Sequence, residues 1–262
     1  MNIRPAAVAG SFYPADQAQL RASVIELLKD NPCNSTEVPK AIVAPHAGYI
    51  YSGPTAASVY NLLHAAADKI RRVVLLGPAH RVPLGSMALP TCKSFATPLG
   101  EIPVDIELRD RVTRLDLVTE SEPAHAFEHS LEVHLPFLQT VLTSFTLLPI
   151  VVGVVSADKV AKLIDTVWGE GETLIVISTD LSHFMSYDRA TEYDEITCKK
   201  ILDCNTHLQG DQACGCFSLN GMLKTASRRQ MQISLIDYRN SGDTAGSRDR
   251  VVGYGAFALY EH

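Results

Sequence analysis

The chain has 262 residues, of which 46% are hydrophobic and 20% are charged, with 16 glycines and 14 prolines. A chain of this length and hydrophobicity buries enough surface to fold as a globular protein, which excludes disordered and collagen-like classes. Its formal net charge is -6, whereas proteins that follow phosphate backbones concentrate Lys and Arg. We therefore expect no nucleic-acid partner.

Short aliphatic or β-branched runs alternate along the chain with segments of helical period, a pattern typical of strands joined through crossover helices. We predict strands at residues 40–45, 72–77, 147–152, 173–178 and 251–260. We predict helices over residues 54–67, 105–112, 130–141, 157–168, 187–204 and 216–226, with Pro54 in a first helical turn. Residues 81–103, where Gly and Pro are dense, are predicted to be irregular.

No repeat or linker divides the chain, so we predict one α/β domain over residues 1–262. Its central sheet should be mostly parallel or mixed and flanked by helices. The N-terminal residues lack the long apolar core of a signal peptide, and the apolar run at residues 147–155 is about half of a membrane span. We therefore predict a cytoplasmic protein without a membrane partner.

Three histidines follow predicted strands. His46, His80 and His183 come just after the strands at residues 40–45, 72–77 and 173–178. In open α/β sheets the loops at the carboxyl ends of strands converge on one crevice, so we expect the three side chains to share a site. For any one of them alone, a histidine that caps a turn is the simpler interpretation. Together they indicate a metal site, since neutral imidazole binds iron, zinc and copper.

A carboxylate would complete the two-histidine, one-carboxylate set of non-haem Fe(II) oxygenases. The candidates are Asp180, Glu128, Glu132 and Asp243. Asp180 shares a loop with His183 and is expected to orient that loop or its imidazole. Asp243 lies in a Gly-rich segment before the last strand, from which it can reach the crevice, although a solvated turn is an equal alternative.

The segment Glu128-His-Ser-Leu-Glu-Val-His134 differs from the His-Glu-x-x-His zinc helix, because its histidines are five residues apart rather than four. Five residues turn a helix by about 140°, so these two side chains do not bind one metal from a single helix face. His129, near the start of the predicted helix, is still expected to point towards the site.

Several of these segments form an ordered set of motifs. They are Ala9-Gly-Ser-Phe-Tyr-Pro14, Ala44-Pro-His-Ala-Gly-Tyr-Ile-Tyr-Ser-Gly53, Leu76-Gly-Pro-Ala-His80, Glu128-His-Ser-Leu-Glu-Val-His-Leu-Pro136, Ser178-Thr-Asp-Leu-Ser-His183 and Ser241-Gly-Asp243. In this set the sequence resembles the Memo family, whose prokaryotic members are called AmmeMemoRadiSam system protein B. That family is similar to the class III, LigB-type extradiol dioxygenases, which open catechol rings with non-haem Fe(II).

The resemblance implies a LigB-like fold and roles for the matching residues. His46 and His80 would bind iron with Asp243, and Phe12 and Tyr51 would line the pocket. His183 would be the acid/base histidine, with Asp180 or His129 fixing its tautomer.

The resemblance also implies Fe(II) as the cofactor, with Zn or Cu as alternatives. A small aromatic substrate and dioxygen would be the reactants, and the family name implies an association with AMMECR-type and radical SAM proteins. Two other functions stay open: a non-catalytic module that holds a metal or a peptide in the same pocket, and a metal-linked redox protein without ring cleavage.

Overall fold

A computed structural model describes residues 2–33, 35, 37–116 and 118–261 of the protein. The strands are β1 (Ile3–Arg4), β2 (Ala41–Ala44), β3 (Arg72–Pro78), β4 (Met87–Leu89), β5 (Ser94–Thr97), β6 (Gly100–Pro103), β7 (Val118–Glu120), β8 (Thr146–Val152), β9 (Thr173–Ser178), β10 (His183–Met185), β11 (Gln232–Asn240) and β12 (Val251–Tyr260). The helices are α1 (Gln17–Asp30), α2 (Tyr49–Tyr60), α3 (Ile106–Thr113), α4 (Glu122–Ala126), α5 (Leu135–Val141), α6 (Ala157–Thr166), α7 (Tyr187–Leu202) and α8 (Cys216–Arg228). Short 3-10 helices span Asn61–Ala66, Glu132–His134 and Ser241–Asp243.

A nine-stranded sheet forms the centre of the protein, with the order β10-β12-β2-β9-β3-β8-β4-β7 and with β11 paired to β12. The pairs β2–β9, β9–β3, β3–β8 and β4–β7 are parallel, whereas β12 pairs antiparallel with β2, β10 and β11. A smaller sheet has the order β1-β5-β6. The predicted α/β class with a mixed central sheet is therefore confirmed.

Both faces of the central sheet are buried. In β3, Val73 and Leu75 join the core beneath α1, α2 and α5, while Val74 and Leu76 join the core beneath α6 and α8. Because successive residues of a strand point to opposite faces, a strand covered on both sides is apolar throughout. This explains why the central strands read as continuous aliphatic runs.

Helix α2 begins five residues before the predicted start, so Pro54 lies inside the helix rather than in its first turn. Proline lacks an N–H, which leaves the carbonyl of Ile50 without its helical partner. Gly53 lets α1 pack closely, because a Cβ atom there would lie 2.9 Å from Leu27.

Two further predictions about the elements were wrong. The segment 81–103 contains β4, β5 and β6, which are only three or four residues long and so show no readable alternation. The helix predicted from residue 130 is a 3-10 turn followed by α5, which begins at Leu135 with Pro136 in its first turn. The residues before that turn are held by tertiary hydrogen bonds instead. Among the described residues, no helix combines the length and apolar character needed to cross a membrane.

Candidate metal centre

The candidate site lies at the carboxyl edge of the parallel part of the sheet. His46 follows β2, His80 follows β3, and Asp180 follows β9, the strand that separates β2 from β3. Strands β2 and β3 both pair with β9 in parallel, so their ends meet at one edge. His183 is the first residue of β10, where it pairs with Val252 of β12.

Three imidazoles form a cluster at this edge. His46, His80 and His129 each offer a nitrogen, and these ligand atoms all lie within 4.8 Å of one another. The ring centroids are 5.1 Å apart for His46 and His80, 5.5 Å for His46 and His129, and 4.6 Å for His80 and His129. The structure therefore confirms that His46 and His80 come together, and it places His129 with them.

The hydrogen bonds of His46 fix its tautomer. The hydroxyl of Ser178 donates its hydrogen to the carbonyl of Ser130 at 2.6 Å, so it must accept at its 2.6 Å contact with His46 Nδ1. Nδ1 then carries the proton and Nε2 keeps a lone pair. Burial, and next the charge of His80, lower the pKa of His46 well below its ordinary value, so the ring stays neutral as a metal ligand must be.

The carboxylate of Glu128 orients His80. Glu128 Oε1 accepts from His80 Nδ1 at 2.9 Å, while Oε2 accepts from the His80 backbone N–H at 2.6 Å. Oε1 also accepts the backbone N–H groups of His129 and Ser130 at 2.9 Å. Burial alone would raise the pKa of Glu128, but these bonds and the charge of His80 lower it to about 2. His80 therefore presents Nε2, in the carboxylate–histidine arrangement common around bound metals.

The loop that carries His129 packs against the end of β3. The Ser130 hydroxyl donates to the carbonyl of Pro78 at 2.9 Å. A Cβ atom on Gly77 would lie 2.8 Å from Leu131 and 2.9 Å from Ser130 Oγ, so any larger residue there would displace these side chains. Burial lowers the pKa of His129 to about 4.

Asp180 and Cys214 surround His46. Asp180 Oδ1 accepts the backbone N–H of His46 at 2.7 Å, and Oδ2 lies 3.9 Å from His46 Nε2. Burial raises the pKa of Asp180 to about 6, against the effect of the His46 N–H and of the charges of His183 and His80. Cys214 Sγ lies 3.3 Å from His46 Nε2 and accepts the Asp180 N–H at 3.2 Å. Burial also raises the pKa of this thiol, so it donates to the free lone pair of His46.

The tautomer of His183 is fixed by the backbone, not by Asp180 or His129 as predicted. Its Nδ1 lies 2.9 Å from the carbonyl of Leu181, and a carbonyl only accepts, so Nδ1 donates. A carbonyl two residues away in the chain reaches the ring more directly than either predicted side chain. Nε2 keeps the lone pair that a general base needs.

Asp243 lies outside the histidine cluster, which corrects its predicted role as the third ligand. Its side chain is exposed, Oδ1 accepts from the Tyr187 hydroxyl at 2.6 Å, and Oδ2 accepts from the Asn240 N–H at 2.9 Å. The second bond belongs to a capping box that closes the 3-10 helix Ser241–Asp243. The carboxylate is thus used locally, and His129 occupies the third place in the cluster.

The two predicted pocket aromatics have different surroundings. The ring centroid of Phe12 lies 4.8 Å from that of His129, and Phe12 also lines a groove of about 700 Å³ together with Tyr49. Tyr51 is half-buried in the first turn of α2, beside Gly48. Phe12 is therefore in contact with the cluster, while the role of Tyr51 stays a prediction.

Two supporting residues, Ser178 and Cys214, were not recognised as part of the site from the sequence, and Glu128 was considered only as a ligand. The signal for Glu128 was its position directly before His129, which allows one carboxylate to bind the backbone of its own loop. Ser178 ends β9, one strand away from His46, and only the strand order makes them neighbours. Cys214 lies 168 residues from its imidazole partner and gave no local signal.

The donor set fits a transition-metal ion. Two imidazoles present Nε2 lone pairs, and His129 offers a third ring nitrogen within 4.8 Å of the other ligand atoms. The Nδ1 atom of His129 lies 3.3 Å from Glu128 Oε1. Neutral imidazoles suit iron, zinc and copper, and a carboxylate that holds the far side of a ligand ring strengthens such sites. His46, His80 and His129 are therefore the residues that would hold the ion.

Fold and site together define an α/β protein with a three-histidine centre at the carboxyl edge of a mixed sheet, a candidate metalloprotein. A family model described as "Memo-like protein" matches residues 4–258. A "MEMO1 family protein" of Aquifex aeolicus is 36% identical over 266 residues, which cover 97% of this chain and 98% of the relative. One from Methanosarcina mazei is 35% identical over 274 residues, which cover 99% and 100% of the two chains. The chain belongs to the Memo family.

Proposed function

We propose that the protein is a metal-dependent oxidoreductase, an extradiol-type dioxygenase that uses non-haem Fe(II) and acts on a small, catechol-like aromatic substrate. The observation that carries this proposal is the three-imidazole cluster together with a fourth histidine, His183, whose Nε2 lone pair is free. Binding a metal requires only the ligands. A further histidine whose unprotonated nitrogen is defined can in addition transfer a proton to or from a substrate.

The residues would divide the work as follows. His46, His80 and His129 hold the ion, which when bound supplies redox and Lewis-acid chemistry towards an ortho-diphenol and dioxygen. His183 Nε2, which carries the lone pair of the ring, accepts a hydroxyl proton from the substrate and later returns it. Asp180 positions the His46 loop through the backbone N–H.

Aromatic side chains support the choice of an aromatic substrate. Phe12 contacts the His129 ring and lines the neighbouring groove, so it offers an apolar wall to a planar substrate. Tyr51, in the first turn of α2, is proposed as a second wall.

The test begins with anaerobic Fe(II) loading, followed by metal analysis and oxygen uptake with a panel of catechols. His80→Ala should lose the metal. His183→Ala should keep it and slow turnover by roughly two to four orders of magnitude. Asp243→Asn is the matched control and should leave both metal content and turnover unchanged, because that carboxylate is exposed and bonded elsewhere. If the iron-loaded protein consumes no oxygen with any catechol, the dioxygenase proposal fails.

A zinc-dependent activity is the second candidate, because the third donor is a histidine rather than a carboxylate. Three histidines with an open fourth position form a catalytic zinc site that activates water. Ester hydrolysis by the Zn-loaded protein, without oxygen uptake by the Fe-loaded one, would favour this candidate. Copper is the third metal to include in the loading series.

The association with AMMECR-type and radical SAM proteins remains a proposal based on the family resemblance alone. Co-purification of such proteins with the tagged chain from its native host, compared with an untagged control, tests it.

A further inference from the structure

The N-terminal segment, residues 3–13, crosses the loop that carries Glu128 and His129. Strand β1 pairs in parallel with β5, and its residue Arg4 is 2% exposed. From there its guanidinium reaches the segment 125–132, which lies more than 120 residues away in the chain.

Arg4 binds both ends of the turn that holds the site residues. Its Nε donates to the carbonyl of His125 at 2.7 Å, and Nη2 donates to the carbonyl of Glu128 at 2.7 Å. Nη1 donates to the carboxylate of Glu132 at 2.6 Å. Because the donors of a guanidinium are fixed in one plane, Arg4 sets the distance between the carbonyls of His125 and Glu128. The second of these carbonyls immediately precedes His129.

Glu132 binds further residues of the N-terminal segment to the loop that carries His129. This buried carboxylate accepts the backbone N–H groups of Ala7 at 2.7 Å and Val8 at 3.0 Å, and the Tyr13 hydroxyl at 2.5 Å. With the hydrogen bond from Arg4, this carboxylate accepts four hydrogen bonds, and its negative charge is paired with the Arg4 guanidinium.

The segment also contacts both sides of the cluster. The Phe12 ring lies 4.8 Å from His129, and the Phe12 carbonyl accepts the backbone N–H of Tyr49 at 2.8 Å, three residues after His46. The Tyr49 hydroxyl in turn donates to the carbonyl of Val133 at 2.7 Å. The N-terminal segment thus ties the His129 loop to the His46 loop.

We propose that Arg4 is a positioning residue of the metal centre, and that docking of residues 3–13 and metal binding are thermodynamically coupled. Arg4 acts through the backbone of Glu128, which orients His80 and adjoins His129. The inference rests on the metal centre of the proposed function, but not on its dioxygen chemistry. Because coupling is reciprocal, an ion that needs this loop in place must also stabilise the docked segment.

The test measures Zn²⁺ affinity by competition with a chelating indicator in the full-length protein. Arg4→Met should weaken Zn²⁺ binding at least about tenfold, and Arg4→Lys, which keeps the charge but loses the fork of donors, should weaken it less. Lys40→Met is the matched control. Lys40 is also buried and donates to the carbonyls of Glu170 and Thr173, at the opposite edge of the sheet.

These variants distinguish a loss of stability, measured by the urea midpoint, from a loss of positioning, measured by the Zn²⁺ affinity. Arg4→Met and Lys40→Met should both lower the urea midpoint, but Lys40→Met should leave the Zn²⁺ affinity within about twofold of the parent. Adding Glu132→Gln to Arg4→Met removes the unpaired buried charge and should recover part of the stability, without recovering affinity, since the two carbonyls still lack their donor.

A measurement on the unmodified protein covers the case in which the Arg4 variants do not fold. Zn²⁺ should slow hydrogen exchange of the Ala7 and Val8 amides about tenfold, while amides of α8 far from this contact change less. Unchanged exchange at Ala7 and Val8, or Arg4→Met binding Zn²⁺ like the parent, overturns the inference. If the parent itself binds no metal, the proposed function fails first, so the two failures are distinguishable.

Discussion

Replacement of Glu128 by Gln tests how the site is held together. The carboxylate accepts four N–H groups: two from His80, one from His129 and one from Ser130. A glutamine amide offers one accepting oxygen, and its NH2 group faces donors instead. At least one buried N–H then loses its partner, which costs roughly 1–3 kcal/mol.

The lowered pKa of Glu128 gives a second way to calculate how much its carboxylate stabilises the fold. Lowering the pKa of Glu128 from 4.5 to about 2 corresponds to about 3 kcal/mol in favour of the ionised form in the folded state. This contribution is present above pH 4.5 and is lost as the pH falls towards 2. We therefore expect Glu128→Gln to lower the free energy of unfolding by about 3 kcal/mol at pH 7, and the difference between the two proteins to shrink below pH 4.5.

Metal affinity is the decisive measurement. Loss of the partner of His80 should weaken Zn²⁺ binding by about 10–100-fold. Asp105→Asn provides the control, because Asp105 is a buried carboxylate that caps α3 and binds Thr146 at the opposite edge of the sheet. That variant should lose stability and keep its affinity. Glu128→Gln protein that binds Zn²⁺ as tightly as the parent would refute the assigned role of this carboxylate.

Three further predictions concern the same centre. Gly77→Ala should weaken Zn²⁺ binding at least about tenfold, because the new Cβ meets side chains of the His129 loop at 2.8 and 2.9 Å, whereas Gly85→Ala, with open space around its Cβ, should bind normally. Cys214→Ala should tighten Zn²⁺ binding about fivefold in a chelator competition, since the thiol bonds the lone pair of His46 that a metal needs; weaker binding would instead identify the sulfur as a ligand. In the metal-free protein, His129 has a pKa of about 4, below its unfolded value, so its neutral form stabilises the fold above pH 6.5. Burial lowers the pKa values of His46, His125 and His134 as well, so the effect of His129 is measured as a difference between two proteins. His129→Gln should lose about 2 kcal/mol less stability than the parent between pH 7 and pH 5 in urea titrations, and equal losses in the two proteins would contradict the shift.

The sequence predicted the parts of the site that depend on strand ends. His46, His80 and Asp180 each follow a short, continuous aliphatic run, and such runs mark parallel strands buried on both faces. Once strands are placed, the convergence of their carboxyl ends follows from the geometry of open α/β sheets. The position of β9 between β2 and β3 did not follow from the sequence, because strand order depends on contacts between distant segments.

The sequence indicated a carboxylate, Asp243, as the third member of the cluster, and only the tertiary structure brings His129 to that place instead. Asp243 has the right chemistry, but its own backbone and Tyr187 use both oxygens. His129 reaches the cluster only because Glu128 folds back on its own loop and Arg4 holds that loop from the far end of the chain. Arg4 and its partners are more than 120 residues apart in the sequence, and no local sequence pattern predicts a contact at that separation.

The central position of β9 also determines when, during synthesis of the chain, the three imidazoles can reach their final spacing. His46, His80 and His129 all precede residues 173–178, yet β2 and β3 reach their final spacing only when β9 pairs with both of them. A growing chain that has already exposed all three imidazoles therefore lacks the frame that spaces them, and it also lacks the serine that sets the tautomer of the first. The three imidazoles therefore reach their final spacing, within 4.8 Å of one another, only when the sheet has closed around β9.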